Sequence, residues 1–384
     1  MKNRIYLDHA ATTPVSRAVL DAMLPFFSEC PGNASAVYAT GREARKAVEQ
    51  ARRETAAAIG AQPAEILFTG SGSESDNLAV KGTAFALKEK GRHIITTSIE
   101  HPAVLNTCRW LETQGFEVTY VSPDREGRID PESVCGAIRG DTILISVMAA
   151  NNEIGTIEPV EEIGRIAREK GIVFHTDAVQ AVGAIPADVN RWNADLLSLS
   201  AHKFNGPKGA GALYVRKGTR IDPLISGGHQ ERGLRAGTEN VPAIVGLGKA
   251  VMETVREQQK NAERTAALRD RLTEGILLAV PDSFLNGAKE GRLPNSCSIR
   301  FSRIDGEALL LRLDLAGIAA SSGSACTAGS QEISHVLRAI GLSEEEAKGS
   351  LRMTAGPENT EQEIDEAVQT VKEIVEDLRS MFRG

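Results

Sequence analysis

At 384 residues the chain is longer than a single hydrophobic core usually serves, so roughly two domains are expected. Hydrophobic residues at 41% and charged residues at 25% are ordinary values for a globular protein and exclude a disordered or fibrous chain. The net charge of -7 argues against general phosphate-backbone binding, which needs clustered Lys and Arg, so small molecules or proteins are the expected partners and direct nucleic-acid contact is not.

The first nine residues lack the apolar segment of a signal peptide, and no apolar run is long enough to span a membrane, so a cytoplasmic location is expected. From about Ile66 to Val215, short apolar runs alternate with amphipathic helical patterns, as in β-α units of a mainly parallel sheet. The predicted strands are Ile66 to Thr69, His93 to Ser98, Glu117 to Val121, Thr142 to Met148, Val173 to Thr176, Leu196 to Leu199 and Gly211 to Val215. Pro159 and the acidic residues after it predict a helix that stops at Lys170-Gly171. One long polar helix is predicted from about Val241 to Val280, and beyond it Asn295 to Phe301, Glu307 to Asp314 and Glu361 to Phe382 suggest a smaller α+β domain. The five cysteines, Cys30, Cys108, Cys135, Cys297 and Cys326, are odd in number and contain no C-x-x-C pair, so a disulfide framework is not expected. The seven histidines form no zinc-type spacing, so no metal site is expected.

In open parallel sheets, ligands bind beyond the carboxyl ends of the strands. Five polar clusters fall there: Thr69 to Asn77, Ser98 to Pro102, Asn151 to Gly155, His175 to Gln180, and Ser198 to Lys203. In the first, glycines and a helix start suit a phosphate, although Ser73 as a plain N-cap is the bland alternative; it is neither a P-loop nor a G-x-G-x-x-G fingerprint. A lone Asp177 or Lys203 would read as a cap or a surface charge. Together, a phosphate cradle, an aromatic base, a carboxylate and a lysine are the parts that hold pyridoxal phosphate. Cys326 sits among small and hydroxylated residues from Ser321 to Ser330, a setting for a mobile nucleophile, against the alternative of a buried structural thiol.

On Tyr6-Leu7-Asp8-His9-Ala10-Ala11-Thr12-Thr13-Pro14, Glu153-Ile154-Gly155, Ala201-His202-Lys203 and Ser322-Gly323-Ser324-Ala325-Cys326-Thr327, the chain resembles the cysteine desulfurases of the NifS/IscS type, long-loop branch. These are class V aminotransferase-like, fold-type I pyridoxal phosphate enzymes. The resemblance implies an α/β fold with a mainly parallel seven-stranded sheet, helices on both faces and a smaller α+β domain. It further implies a large cofactor domain over residues 12–260 and a small one over 1–11 and 261–384, with the Cys326 loop on the small domain. In it Lys203 would bind the cofactor aldehyde, Asp177 the pyridine nitrogen and Asn152 and Gln180 the ring oxygen, while His101 would stack on the ring and move protons. Gly72, Ser73, Ser200 and His202 would hold the phosphate, with Thr238 reaching it across a homodimer interface, and Asn33 and Arg352 would bind the substrate carboxylate. The implied reaction takes sulfur from L-cysteine, leaving alanine and a Cys326 persulfide for a sulfur-acceptor protein in iron-sulfur assembly or thiolation. Motion of residues 322–333 is part of that expectation.

Three departures stand out: Tyr38 where many relatives carry His, Ser73 for the usual Thr, and Met353-Thr354-Ala355-Gly356 after Arg352. A selenocysteine lyase, another class V aminotransferase and a non-catalytic sulfur-trafficking scaffold remain alternative readings.

Overall fold

Seven strands make the central sheet of the computed structural model, which describes residues 4–322 and 333–381. Their order across the sheet is Ile66–Thr69, Gly211–Val215, Leu196–Ser200, Val173–Asp177, Thr142–Ser146, His93–Thr97 and Glu117–Val121. Every adjacent pair is parallel except the two that involve Gly211–Val215. That strand is antiparallel because only residues 201–210 separate it from Leu196–Ser200, too short a link for a parallel crossover. Ile66–Thr69 is antiparallel to it in turn, and so points the same way as the other five.

Alternation within the strands explains why the sheet is covered on both faces. Ile66, Phe68, Ile95, Ile145, Phe174 and Leu197 join one apolar core, which includes Val48 of helix Ala39–Ala58 and Ile163 of helix Val160–Lys170. Their neighbours Ile94, Leu144, Leu67, Leu196 and Leu213 enter two clusters on the other side, built with Leu78, Val80 and Ala84 of helix Gly72–Leu87. Helix Val160–Lys170 ends as predicted at Gly171, in the left-handed region at φ 67° that glycine favours.

The expected long polar helix from Val241 to Val280 is instead two helices, Val241–Arg256 and Gln258–Ala279, meeting at Glu257. The first is not polar: Ile244, Leu247, Ala250 and Val251 are buried in the main core, whereas Leu268, Leu272 and Ile276 of the second enter a different one. A single straight helix could not feed both. That second core also gathers Ile5, Leu7, Ile299, Leu309, Leu351, Val371 and Val375. It lies by a three-stranded antiparallel sheet, ordered Ser350–Thr354, Ser296–Phe301, Ser283–Leu285, and by the helices Gly306–Ala316 and Glu361–Met381.

The N-terminal strand Ile5–Tyr6 pairs with Ile318–Ala319, and the backbone N–H of Thr354 donates to Leu7 O at 2.7 Å. From there residues 8–14 cross to the main sheet, where Thr13 N–H donates to His202 O. This short segment ties both sheets to one cleft.

Candidate active site

The cleft holds about 820 Å³ and lies beyond the carboxyl ends of the parallel strands. Asp177 and Ser200 end their strands, and Lys203 closes the one-turn 3-10 helix Ala201–Lys203 that follows Ser200. Among the residues named from sequence, the cleft wall brings together Gly72, Ser73, His101, Asn152, Asp177, Gln180, Ser200, His202, Lys203 and Arg352.

Helix Gly72–Leu87 starts at the cleft, but its N-cap is Ser71, whose hydroxyl accepts from Glu74 N–H at 3.1 Å; Ser73 is inside the helix and exposed. The capping assignment therefore moves two residues back, leaving Ser73 open to the cleft. Gly211 accounts for part of this: a Cβ there would lie 2.6 Å from the Ser71 carbonyl carbon, so the strand can pass close to the turn only as glycine. At Gly72 a Cβ would come 2.7 Å from Val179 Cγ2, so the helix start can sit this deep only without a side chain. The first amides of a sixteen-residue helix thus face the cleft, with their partial positive charge.

Lys203 Nζ donates to Ala10 O at 2.5 Å and Ala11 O at 2.9 Å, which fixes the amine against the N-terminal segment. Gln180 Nε2 also donates to Ala10 O, at 3.0 Å. Asp177 is buried, its Oδ1 accepting from Val179 N–H at 2.9 Å. Burial raises its carboxyl above the usual range, while the facing His101 and Lys203 pull the other way. His101 caps helix Pro102–Thr113, its Nδ1 accepting from Ala103 N–H at 3.1 Å. In the neutral ring that acceptor role leaves the proton on Nε2. Burial lowers its pKa, against the pull of Asp177 and with the help of Lys203 and His335. His202 Nδ1 pairs with Thr12 Oγ1 at 3.2 Å, and burial with the nearby Lys203 and Lys208 brings its imidazole down to about 4.

From the small sheet comes Arg352, 2% exposed, donating through Nη1 to Asn152 O at 2.9 Å and through Nη2 to Asp8 Oδ1 at 2.8 Å. Two of the named residues do not reach this cleft. Asn33 is exposed, its side chain turned back to accept from Ser35 N–H at 2.9 Å. Thr238 is exposed on a segment anchored by the buried Arg52–Glu231 pair, both hydrogen bonds 2.7 Å. Cys326 and its loop lie outside the described residues.

Sequence reading missed several residues of the wall: Asp76, Glu153, Ser334, His335 and the carbonyls of Ala10 and Ala11. Asp76 was in plain view in the Thr69 to Asn77 cluster, one turn inside the helix that carries Gly72. Glu153 is buried, accepts from Ser334 Oγ at 2.5 Å and is raised by burial, opposed by Ser334, His335 and Arg352. His335 Nε2 pairs with Glu100 O at 2.9 Å, a contact across 235 positions that no local pattern announces.

An amine, a buried carboxyl, an imidazole and a glycine-opened helix start in one cleft fit an aldehyde-bearing, phosphorylated pyridine. The sequence profile of the family described as Aminotransferase class-V matches residues 5–367. The chain is 55% identical over 377 residues to the cysteine desulfurase IscS of Methanosarcina thermophila, covering 98% of this chain and 93% of that protein. It is 52% identical over 381 residues to cysteine desulfurase IscS of Dictyoglomus turgidum, with 99% and 97% covered. Among solved structures, one titled NifS-like protein superposes at a TM-score of 0.92 with 40% identity, over 97% of this chain and 99% of that one. Another, SspA in complex with cysteine, gives 0.83 with 43% identity, over 93% and 100%. Fold and site define a pyridoxal phosphate-dependent enzyme of the class-V aminotransferase type. Within that class the chain belongs to the family of NifS/IscS-type cysteine desulfurases.

Proposed function

We propose that the protein removes sulfur from L-cysteine, releasing L-alanine and passing the sulfur through a Cys326 persulfide to an acceptor protein. The observation that carries this is the convergence of Lys203, Asp177, His101 and Arg352 on one cleft. Bound pyridoxal phosphate supplies an electron sink that acidifies the Cα–H of an amino acid. Asp177 would face its ring nitrogen and His101 its ring, with Asn152 and Gln180 beside the ring oxygen. Gly72, Ser73, Ser200 and His202 would hold the phosphate, and Lys203 would take the aldehyde.

Arg352 is suited to the substrate carboxylate, since a guanidinium gives that group two parallel hydrogen bonds. Asp8 and Asn152 O already orient it. The Lys203 amine would remove the Cα proton and return it before alanine leaves, and the Nε2–H of His101 would serve protons at the substrate sulfur. The Cys326 thiolate then attacks that sulfur. As the S–S bond forms the C–S bond breaks, its electron pair and a proton going to Cβ, so that alanine leaves and the sulfur stays on the protein.

Two observations favour Cys326 as the thiol. None of the four described cysteines lines the cleft, and burial pushes the thiol of Cys108 up to about 12 and that of Cys297 above its ordinary value. Both described flanks of its segment adjoin the site: Ser321 exchanges backbone hydrogen bonds with Arg352 at 2.7 and 3.1 Å, and Ile333 and Ser334 line the wall. Five residues from Ser321 reach at most about 18 Å, enough to bring a thiol into the cleft.

Asn33 and Thr238 are then read as parts of the site outside this chain's cleft, Thr238 serving the phosphate across a homodimer interface. The separate core around Leu7, Leu272, Ile299 and Leu351 supports a small domain of residues 1–11 and 261–384 beside a large one of 12–260, with Val336, Leu337, Ile340 and Ala347 of the small one packing into the large core. Among the described residues no helix is long and apolar enough to cross a membrane, and a cytoplasmic location belongs to the same reading.

The test is a paired assay of wild type and Cys326→Ala with L-cysteine and a reductant. Sulfide and alanine from wild type, with cofactor absorbance retained but products lost in the variant, support the reading. A variant that still turns over cysteine or selenocysteine contradicts the role of Cys326 and favours a lyase or aminotransferase.

A further inference from the structure

Asp177 is not the only acid under the cleft. Asp76, from the helix whose start faces the cleft, also borders it, and its side chain is only 2% exposed. Its Oδ1 has no hydrogen-bond partner among the described residues. The nearest base is His175, whose Nε2 lies 3.7 Å from that oxygen. His175 cannot serve as a counter-cation: it is fully buried between the Ser146 hydroxyl, 2.8 Å from Nδ1, and the Ser198 hydroxyl, 3.1 Å from Nε2. Burial brings its imidazole down to about 3, so the ring is neutral. The Ser198 hydroxyl that pairs with His175 also faces Asp76, where it favours the anion and is outweighed by burial.

The charged and titratable groups facing Asp76 are therefore Asp177, Glu100 and neutral His175. Glu100 is itself buried and raised to about 8, mainly by desolvation. Two neighbouring carboxyls in a dry pocket do not both ionise near neutrality, and one keeps a proton. The choice between them follows from their surroundings. Asp177 accepts a backbone N–H and faces His101 and Lys203, all of which favour its anion. Asp76 has a hydroxyl, a neutral ring and an unpartnered oxygen. Burial first, and then the charge of Asp177, raise its pKa well above the usual range.

We propose that Asp76 is a positioning residue of the cofactor site: it is the protonated member of the buried Asp76–Asp177 pair, and by staying neutral beside Ser198 and His175 it leaves Asp177 the single anion of that pair under the ring nitrogen. This rests on the reading that Asp177 faces that nitrogen. The predicted consequence is a fixed net charge on this pair across the working pH range, with the proton held by Asp76 rather than by Asp177.

The experiment compares wild type, Asp76→Asn and Asp76→Ala, each loaded with pyridoxal phosphate, with Asp177→Ala as the control for the underlying reading. Three quantities are read: the pH midpoint of the bound cofactor's absorbance, its dissociation constant, and the infrared carbonyl band of a protonated carboxyl. Asn mimics a neutral carboxyl, so its absorbance midpoint should stay within about 0.3 unit of wild type, and the infrared band should vanish from the difference spectrum. Ala should weaken cofactor retention about tenfold by emptying the space beside Ser198 and His175, with Asn restoring it. An Asn midpoint displaced by about one unit or more would show that Asp76 carries charge and would overturn the proposal. Wild-type retention in Asp76→Ala, or an infrared band unchanged in Asp76→Asn, would also overturn it. If instead Asp177→Ala keeps wild-type absorbance and affinity, the reading of Asp177 fails, whatever the Asp76 variants do.

Discussion

The two walls of the cleft solve opposite electrostatic problems. The floor, on the side of the large sheet, carries Asp76 and Asp177, with Glu100 buried behind them, three carboxyls all raised by desolvation. The opposite wall, from the small antiparallel sheet, offers Arg352, a buried cation that already holds Asp8 and a backbone carbonyl. The floor thus concentrates acid and suits a protonated ring, while the wall keeps its cation oriented and ready for an anion. Burying charge is costly unless it is paired, and the two walls meet that cost in different ways.

The sharpest way to break this contrast is to remove the amine between the walls. Lys203→Ala should abolish the aldehyde-bound absorbance and cut cysteine turnover by about 10³-fold or more, measured by visible spectra and sulfide release. Next in size, Arg352→Ala should raise KM for cysteine about 10- to 100-fold while leaving cofactor absorbance in place. A similar loss of cofactor in both variants would show that the walls are not separate in function. Gly72→Ala should weaken cofactor retention by about 10-fold, because the new Cβ meets Val179 Cγ2 at 2.7 Å and displaces the helix start. Equilibrium dialysis measures that change.

The smallest effect concerns stability. His175 and His202 have pKa values depressed to about 3 and about 4, so the unfolded chain binds protons there that the folded one does not, and stability falls as pH drops below about 6.5. Glu100 and Glu158, raised to about 8, work the other way: the folded state holds protons that the unfolded state releases above about 4.5. Between about pH 4.5 and 6.5 the two pairs oppose each other. From 6.5 to 8 only the carboxyls act, so the apoprotein should lose stability by up to about 1.4 kcal/mol per pH unit for each group. Urea unfolding across that range would show the decline; a rise in stability towards pH 8 would contradict the buried-acid floor.

Most of the floor was legible in the chain because most of its parts follow directly on an apolar strand, where the end of the run marks the end of the sheet. Asp177, Ser200 and Lys203 needed no long-range information, and the strand bounds moved by only one or two residues. Four things were not legible. The antiparallel turn of Gly211–Val215 depends on a short link rather than on its own composition. The break at Glu257 follows from two cores that pull one helical pattern in different directions. The hold of Ala10 and Ala11 on Lys203 spans more than 190 positions and uses backbone carbonyls, which carry no side-chain signature. Asp76 went unmarked because an acid early in a helix is ordinarily a dipole partner, and only the fold reveals that it is buried beside Asp177.

The central claim is that Lys203 holds pyridoxal phosphate between the two walls, and chemical capture tests it most directly. The loaded wild-type protein would be reduced with borohydride, digested and mapped by mass spectrometry. The account predicts one pyridoxyl-labelled peptide, with the label on Lys203. A label on another lysine, or none on a protein that binds the cofactor, would contradict it.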